Sequence, residues 1–419
     1  MSRSAFDNSI VWSPDERVIN HARLTEFMSQ FMSKGGIDSF DALYRRSIED
    51  ISWFTEEVIK FLGVSFDPPY SKILDTSQGV EWAKWCIDGG LNISEVCVDK
   101  HLVGDSLKVE HEKVAIIWEG EEGEIREFSY AQLHTEVEYC AAGLRSFGIG
   151  MGDTIGIHLP MIPETIIAIL ATARIGAISV PIFSGYGAQA IKTRLQDAGA
   201  KIVFTCDAFP RRGTPVHAWA AIDEALKDCP SVERVIVVSR LGIELQILES
   251  RDIRWNDLQT EGKRLATEDR EKANSATTAA EDPLILLYTS GTTGRPKGIL
   301  HSHCGFPIKA AQDMALCIDV HANERVCWIT DTGWMMGPWL IYGALILGAT
   351  ITIYDGAPDF PKADRLWSFC AGTRVNVLGI SPTLVRALSV YGGELPSKHD
   401  LSSLRILAST GEPWDPESW

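Results

Sequence analysis

The 419-residue chain is 45% hydrophobic, enough to bury a substantial core and long enough to divide into more than one domain. Its formal charge of −17 argues against a broad surface for nucleic acid or anionic membrane and leaves only local basic pockets for anions. Nine cysteines with no Cys-x-x-Cys pair lack metal-ligand spacing and suit a reducing cytoplasm.

The first residues, Met1-Ser-Arg-Ser-Ala-Phe-Asp-Asn8, carry neither the apolar core nor the cleavage pattern of a secretory leader. No run of about 18 uncharged apolar residues occurs, so no transmembrane helix is expected. Residues 1–80 read as a helical lead-in or cap, with aromatic and acidic patches such as Trp53-Phe-Thr-Glu-Glu57 and no nameable chemistry. From 81 to 265, short β-branched runs alternate with longer stretches of helical period, the pattern of a parallel sheet covered by helices. Strands are predicted over 154–159, 178–183, 201–205 and 234–238. A helix is predicted over 163–176 with Ile166, Ile167, Leu170 and Ile175 on one apolar side. The charged, Ala/Thr-rich stretch 260–282 is the expected boundary and should be exposed. A second set of strands, over 284–288, 326–329, 351–354, 375–380 and 404–408, predicts a second α/β subdomain over 282–419. The fold class is α/β, with two stacked layers of mostly parallel sheet.

The chemistry concentrates in Leu286-Leu-Tyr-Thr-Ser-Gly-Thr-Thr-Gly-Arg-Pro-Lys-Gly298. Gly291 and Gly294 let a backbone approach an anion with no side chain in the way, Thr289, Ser290, Thr292 and Thr293 offer hydroxyls, and Lys297 adds a mobile positive charge. That is a phosphate grip. It is not a Walker A loop, because Arg295-Pro296 separates Gly294 from Lys297. Further along, Thr332-Gly-Trp-Met-Met-Gly-Pro338 sets an indole and two thioethers between glycines beside a strand end, a composition that also suits ordinary core. Ser409-Thr-Gly-Glu-Pro-Trp414 follows another strand, where open sheets collect ligands, although a plain strand-to-helix turn uses the same residues. Arg211 and Arg212 pair two guanidinium forks suited to phosphate oxygens, on a loop where solvated arginines are equally ordinary. His301 and His303 read as structural hydrogen-bonders. No metal-binding cluster such as His-Glu-x-x-His appears.

The Tyr-Thr-Ser-Gly-Thr-Thr-Gly-Arg-Pro-Lys-Gly run resembles the phosphate loop of the adenylate-forming superfamily. Trp118-Glu-Gly120, Leu159-Pro-Met-Ile-Pro-Glu164, Ala173-Arg-Ile-Gly-Ala177, Gly333-Trp334 and Gly411-Glu-Pro413 resemble its acetyl-CoA synthetase branch in the expected order. The resemblance implies ATP, Mg²⁺ and coenzyme A as cofactors and a small carboxylic acid as substrate, with no metal ligand within this chain. It assigns Thr289 to Gly294 and Lys297 to the ATP phosphates, with Lys297 as the catalytic charge, and Gly411, Glu412 and Pro413 to the adenine. It assigns Trp334, Met335, Met336 and Gly337 to the acyl pocket, and Phe183, Gly185, Arg211, Arg212 and Asp359 to the coenzyme A side.

Met335 and Met336 stand where acetate enzymes usually carry Val-Thr, so the implied acid is short-chain, such as acetate or propionate, without being fixed as acetate. The chain stops at Glu417-Ser-Trp419, before the family's Thr-Glu motif, ribose-binding aspartate, hinge and small C-terminal domain with its lysine. The expectation is a piece of a longer synthetase that cannot form a thioester alone. Two other functions suit the same residues: an adenylating enzyme with an acceptor other than coenzyme A, and a non-catalytic nucleotide-binding module.

Overall fold

The computed structural model describes residues 12–32, 37–102, 112–289 and 296–415. Four helices open the described chain: Glu16–His21, Arg23–Met32, Phe40–Glu49 and Ile51–Phe61. Asp15, Ser39 and Asp50 cap three of them by accepting from backbone N–H groups in the first turn, which satisfies donors a helix start otherwise leaves unpaired. Phe27 holds the group together, its ring meeting Phe31, Phe54 and Phe61 edge-on at 5.2–6.0 Å.

Seventeen strands follow among the described residues. The first twelve are β1 (Lys72–Asp75), β2 (Lys84–Ile87), β3 (Val114–Gly120), β4 (Ile125–Ser129), β5 (Thr154–Ile157), β6 (Ile178–Pro181), β7 (Ile202–Cys206), β8 (Phe209–Arg211), β9 (Thr214–Val216), β10 (Arg234–Val238), β11 (Asp252–Arg254) and β12 (Pro283–Thr289). The rest are β13 (Lys297–Ser302), β14 (Arg325–Trp328), β15 (Thr350–Asp355), β16 (Val377–Ile380) and β17 (Ile406–Ser409). A seven-stranded sheet runs β11-β10-β7-β5-β6-β12-β13 and a six-stranded sheet runs β17-β16-β14-β15-β3-β4. Both are parallel except for one edge pair each, β12 with β13 and β3 with β4. Parallel strands buried on both faces read as continuous apolar runs, and Ile202–Cys206 and Val377–Ile380 are buried throughout.

The sheets interleave along the chain. β3 and β4 lie within the expected first subdomain yet belong to the second sheet, with Ile117 registered against Thr352, and β12 and β13 lie beyond residue 282 yet belong to the first. The expectation of an exposed stretch over 260–282 is corrected in two places. Helix Trp255–Glu268 continues through its first part, and Ala266, Ala273, Thr278 and Ala280 are buried. For Ala266 and Ala273 the cause is a close helix pair, in which a Cβ on Gly262 would sit 1.8 Å from the Tyr139 carbonyl of helix Tyr130–Ser146, an approach only glycine permits, while Thr278 and Ala280 are bonded to the backbone of Leu91 and Gly89. The helix predicted over 163–176 is present as Pro163–Arg174, but every residue of it is buried rather than one side alone. It packs on β5 and β6, helix Met336–Ile346 packs on β14 and β15, and the short helix Ile93–Cys97 touches both. Among the described residues no helix is long and apolar enough to cross a membrane.

Candidate active site

The strand ends that carry candidate residues are mostly carboxyl ends of parallel strands. β6 runs into Phe183 and Ser184, β14 into residues 331–337, β15 into residues 356–359 and β17 into Gly411, while β12 ends on Thr289. Such ends leave loop backbone and side chains free to meet a ligand. The carboxyl edges of the two sheets come together here. Asp331 accepts at Oδ2 from the Ser184 hydroxyl at 2.6 Å and amide at 3.3 Å, and at Oδ1 from the Gly333 amide at 2.8 Å. A Cβ on Gly333 would stand 2.2 Å from the Phe183 nitrogen, so the two loops pass in direct backbone contact. The Phe183 and Trp334 rings, expected on the coenzyme A side and in the acyl pocket, are thereby brought to 5.6 Å.

His158, the residue after β5, lies buried against the Ser184 backbone, and burial pushes its imidazole down to about 4. Serine, histidine and aspartate are therefore neighbours, but the serine hydroxyl donates to the aspartate. A nucleophile relay needs the hydroxyl directed at the histidine, so this cluster positions loops and does not attack.

Burial raises the Asp331 carboxyl to about 6, against the opposing pull of the Ser184 and Gly333 hydrogen bonds and the nearby Arg211 guanidinium. Because that lies above the ordinary 3.8, folding favours the protonated acid. The stability it contributes is complete below about pH 4 and is lost as pH rises through about 6. Asp331→Asn should therefore gain stability relative to the parent chain by about 3 kcal/mol on going from about pH 4 to 7. Urea unfolding of both chains across that range checks this, and a difference that does not change with pH would contradict it.

The phosphate-loop candidates divide. Thr289 and Lys297 are cross-strand partners in the β12–β13 register, both exposed at the end of that pair. Ser290, Gly291, Thr292, Thr293 and Gly294 lie outside the described residues. His303 is buried and accepts from the Ile93 amide at 3.1 Å, and the His301 ring lies tilted against Phe306 at 5.0 Å.

Trp334 and Met335 are half-exposed, Met336 begins helix Met336–Ile346, and Gly337 is buried, where a Cβ would stand 2.5 Å from the Thr332 Cα and 2.6 Å from the Asp331 carbonyl oxygen. Gly411 takes φ +106° with open space where a side chain would begin. Glu412 is tied to helix Pro382–Ser389 by Arg386 at 2.8 Å and by the Thr383 hydroxyl, which leaves the backbone and the exposed Pro413 ring as the free surface of that loop. A cavity of about 580 Å³ adjoins it, lined by Trp367, Leu388, Leu407, Ser409 and Trp414.

On the remaining side, Arg211 donates to the Gly356 carbonyl at 2.8 Å, and Arg212 pairs with Asp359 at 2.8 Å. Asp359 also accepts from the Tyr391 hydroxyl at 3.0 Å, and Gly185 packs against the Phe183 ring. The sequence reading did not single out Asp331, Ser184, Glu121 or Tyr391. Only the placement of Asp331 three residues after an apolar strand could have flagged any of them. Among the described residues no group of three or more His, Cys, Asp or Glu side chains gathers to hold a metal ion.

The fold is an open-sheet α/β architecture in which the carboxyl edges of two mostly parallel sheets meet. The chain belongs to the AMP-binding enzyme family, whose model matches residues 105–419, and the model of the acetyl-coenzyme A synthetase N-terminus matches residues 40–97. It is 43% identical over 355 residues to the acetyl-coenzyme A synthetase of Gemmatimonas aurantiaca, covering 82% of this chain and 52% of that protein. It is 40% identical over 394 residues to the acetyl-coenzyme A synthetase of Methanothrix thermoacetophila, covering 93% of this chain and 57% of that protein. The acetoacetyl-CoA synthetase of Streptomyces lividans superposes with a TM-score of 0.87 at 28% identity, over 97% of this chain and 60% of that one. The chain thus spans a little over half the length of these relatives.

Proposed function

We propose that this chain carries the adenylation site of an ATP-dependent acyl-CoA synthetase that joins a short-chain carboxylic acid, such as acetate or propionate, to coenzyme A. In that reaction the carboxylate attacks the α-phosphorus of ATP, giving an acyl-adenylate and pyrophosphate, and the thiol of coenzyme A then displaces AMP. The observation that supports it best is the meeting of the two carboxyl edges at Asp331 and Ser184. Beside that contact the Phe183 and Trp334 rings meet, Arg211 is close enough to Asp331 to act on its carboxyl, and β12, which ends on Thr289, runs parallel to β6.

Phosphoryl and nucleotidyl transfer ask a protein chiefly for positioning and charge stabilisation. Lys297 and the Thr289-to-Thr293 hydroxyls would hold the β- and γ-phosphates. Mg²⁺, which prefers phosphate and water oxygens to an all-protein cage, would arrive with the nucleotide and share its charge. Gly411 and Pro413 would offer a flat surface to the adenine, and the Trp334 indole would wall the acyl group. Arg211 and Arg212 would meet the phosphates of coenzyme A. A cytoplasmic site suits the nine cysteines, all of them free and eight buried.

An alkyl ester of AMP joins an acyl-like tail to the nucleotide and mimics the adenylate. Calorimetric titration should show a short-chain ester binding at least about tenfold tighter than AMP, because one ligand then spans both subsites. Trp334→Ala should erase most of that advantage. Equal affinity for the ester and for AMP would contradict the adenylate reading.

A further inference from the structure

The tip of the β8–β9 hairpin is an unusual turn. Arg211 pairs with Thr214, so Arg212 and Gly213 alone connect the strands, and both take positive φ, +53° and +70°. That is the type I′ geometry, which favours Asn-Gly or Gly-Gly and disfavours a long side chain at its first position. What holds arginine there is a carboxylate from the edge of the six-stranded sheet. Glu121, in the turn between β3 and β4, is buried and accepts from the amides of Arg212 at 3.0 Å and Gly213 at 2.7 Å. It accepts from a third amide, that of Ala357 in the loop after β15, at 2.7 Å.

Charge-assisted bonds to three backbone donors on two separate loops make this carboxylate a clasp. The side chains close around it: Arg211 reaches the Gly356 carbonyl, Arg212 reaches Asp359, and the Phe360 ring lies 3.0 Å from where a Gly213 Cβ would stand.

We infer that Glu121 is the positioning residue of the anion-binding hairpin, fixing the backbone from which Arg211 and Arg212 present their guanidinium groups to the phosphates of coenzyme A. This rests on the reading of those arginines proposed above. Glu121 itself touches no ligand in this account. A carboxylate accepts at both oxygens, whereas a carboxamide of the same shape turns an NH₂ toward one of the three amides. Glu121→Gln should therefore loosen the tip while leaving the sheet beneath it intact.

Hydrogen–deuterium exchange on the 419-residue chain, with coenzyme A titrated in as the probe, reads both effects. In Glu121→Gln, uptake should quicken at residues 209–216 and 356–359 and stay unchanged at Ile202–Cys206. The coenzyme A concentration that half-protects the hairpin should rise about tenfold, since small misplacements of binding groups cost that order of affinity. If Glu121→Gln does not fold, Glu121→Asp, which keeps the carboxylate and shortens its reach, carries the same measurement. Faster uptake with an unchanged coenzyme A midpoint would reduce Glu121 to a structural tie and overturn the inference. No change in uptake would overturn the clasp itself. A parent hairpin that coenzyme A never protects, beside a loosened Glu121→Gln tip, would overturn the ligand reading of the arginines and leave the clasp standing.

Discussion

Lys297→Met is expected to slow carboxylate-dependent exchange of pyrophosphate into ATP by about a hundredfold, the usual scale for removing one preorganised charge-stabilising group from a transition state. The lysine is the first residue of β13 and pairs with Thr289 across the sheet, so its Cα is set by ladder hydrogen bonds while its side chain projects from an exposed position. Among the described residues no carboxylate lies within ion-pair distance of it, so its charge is available to a polyphosphate. Methionine keeps the length and apolar stem and removes only the charge, and the thermal midpoint should hardly move. Comparing exchange rate with melting separates the two: a stable variant with parental exchange would remove Lys297 from the phosphate site.

Arg174→Ala should act on stability instead, by about 3–5 kcal/mol, because it removes the buried guanidinium that pairs with the buried Glu138 and the partly exposed Asp99. Arg174 is the last residue of the fully buried helix Pro163–Arg174. It binds both oxygens of Asp99 at 2.8 and 3.1 Å, Glu138 at 3.3 Å and the Ala273 carbonyl at 2.8 Å. One guanidinium thus joins this helix to the segment before β3, to helix Tyr130–Ser146 and to the connection ahead of β12. Glu138 keeps Arg270 and Asp99 keeps His134 when Arg174 is removed, which places the loss toward the lower end of the range. Lysine should recover little, since a single ammonium cannot fork to Asp99 and reach the Ala273 carbonyl together. Urea unfolding of the Ala and Lys variants measures both, and a loss under about 1 kcal/mol for alanine would show the network to be dispensable.

How much of this was readable in sequence depended on how local the cause was. Arg234–Val238 was predicted to the residue because four β-branched residues in a row carry their own signal, and the strand ends near 154, 178 and 202 fell within a residue or two. β3, β4 and β13 were not predicted. Trp118-Glu-Gly120 entered only as a likeness to a family, although it lies in a buried strand whose partners Thr352 and Ile353 are more than two hundred residues away. The interleaving of the two sheets is a property of such distant pairings and has no local signature.

The site behaved in the same way. The glycine- and hydroxyl-rich loop and the adjacent arginines announced themselves by composition. That the arginines face residues 356 and 359, and that Phe183 meets Trp334, required the fold. Asp331 and Glu121 look in sequence like ordinary acids near strand ends. Their importance lies in burial and in partners such as Ser184 and Ala357, 147 and 236 residues distant.

Carboxylate-dependent ATP–pyrophosphate exchange tests the central claim most directly, measured over acids from acetate to medium chain length on the 419-residue chain and on a fusion that adds the remaining C-terminal portion of a matched acetyl-coenzyme A synthetase. The account predicts exchange that requires an added carboxylate, is strongest with a short-chain acid and falls with Lys297→Met. Nucleotide binding without exchange for any acid in either protein would contradict it and leave a nucleotide-binding module in its place.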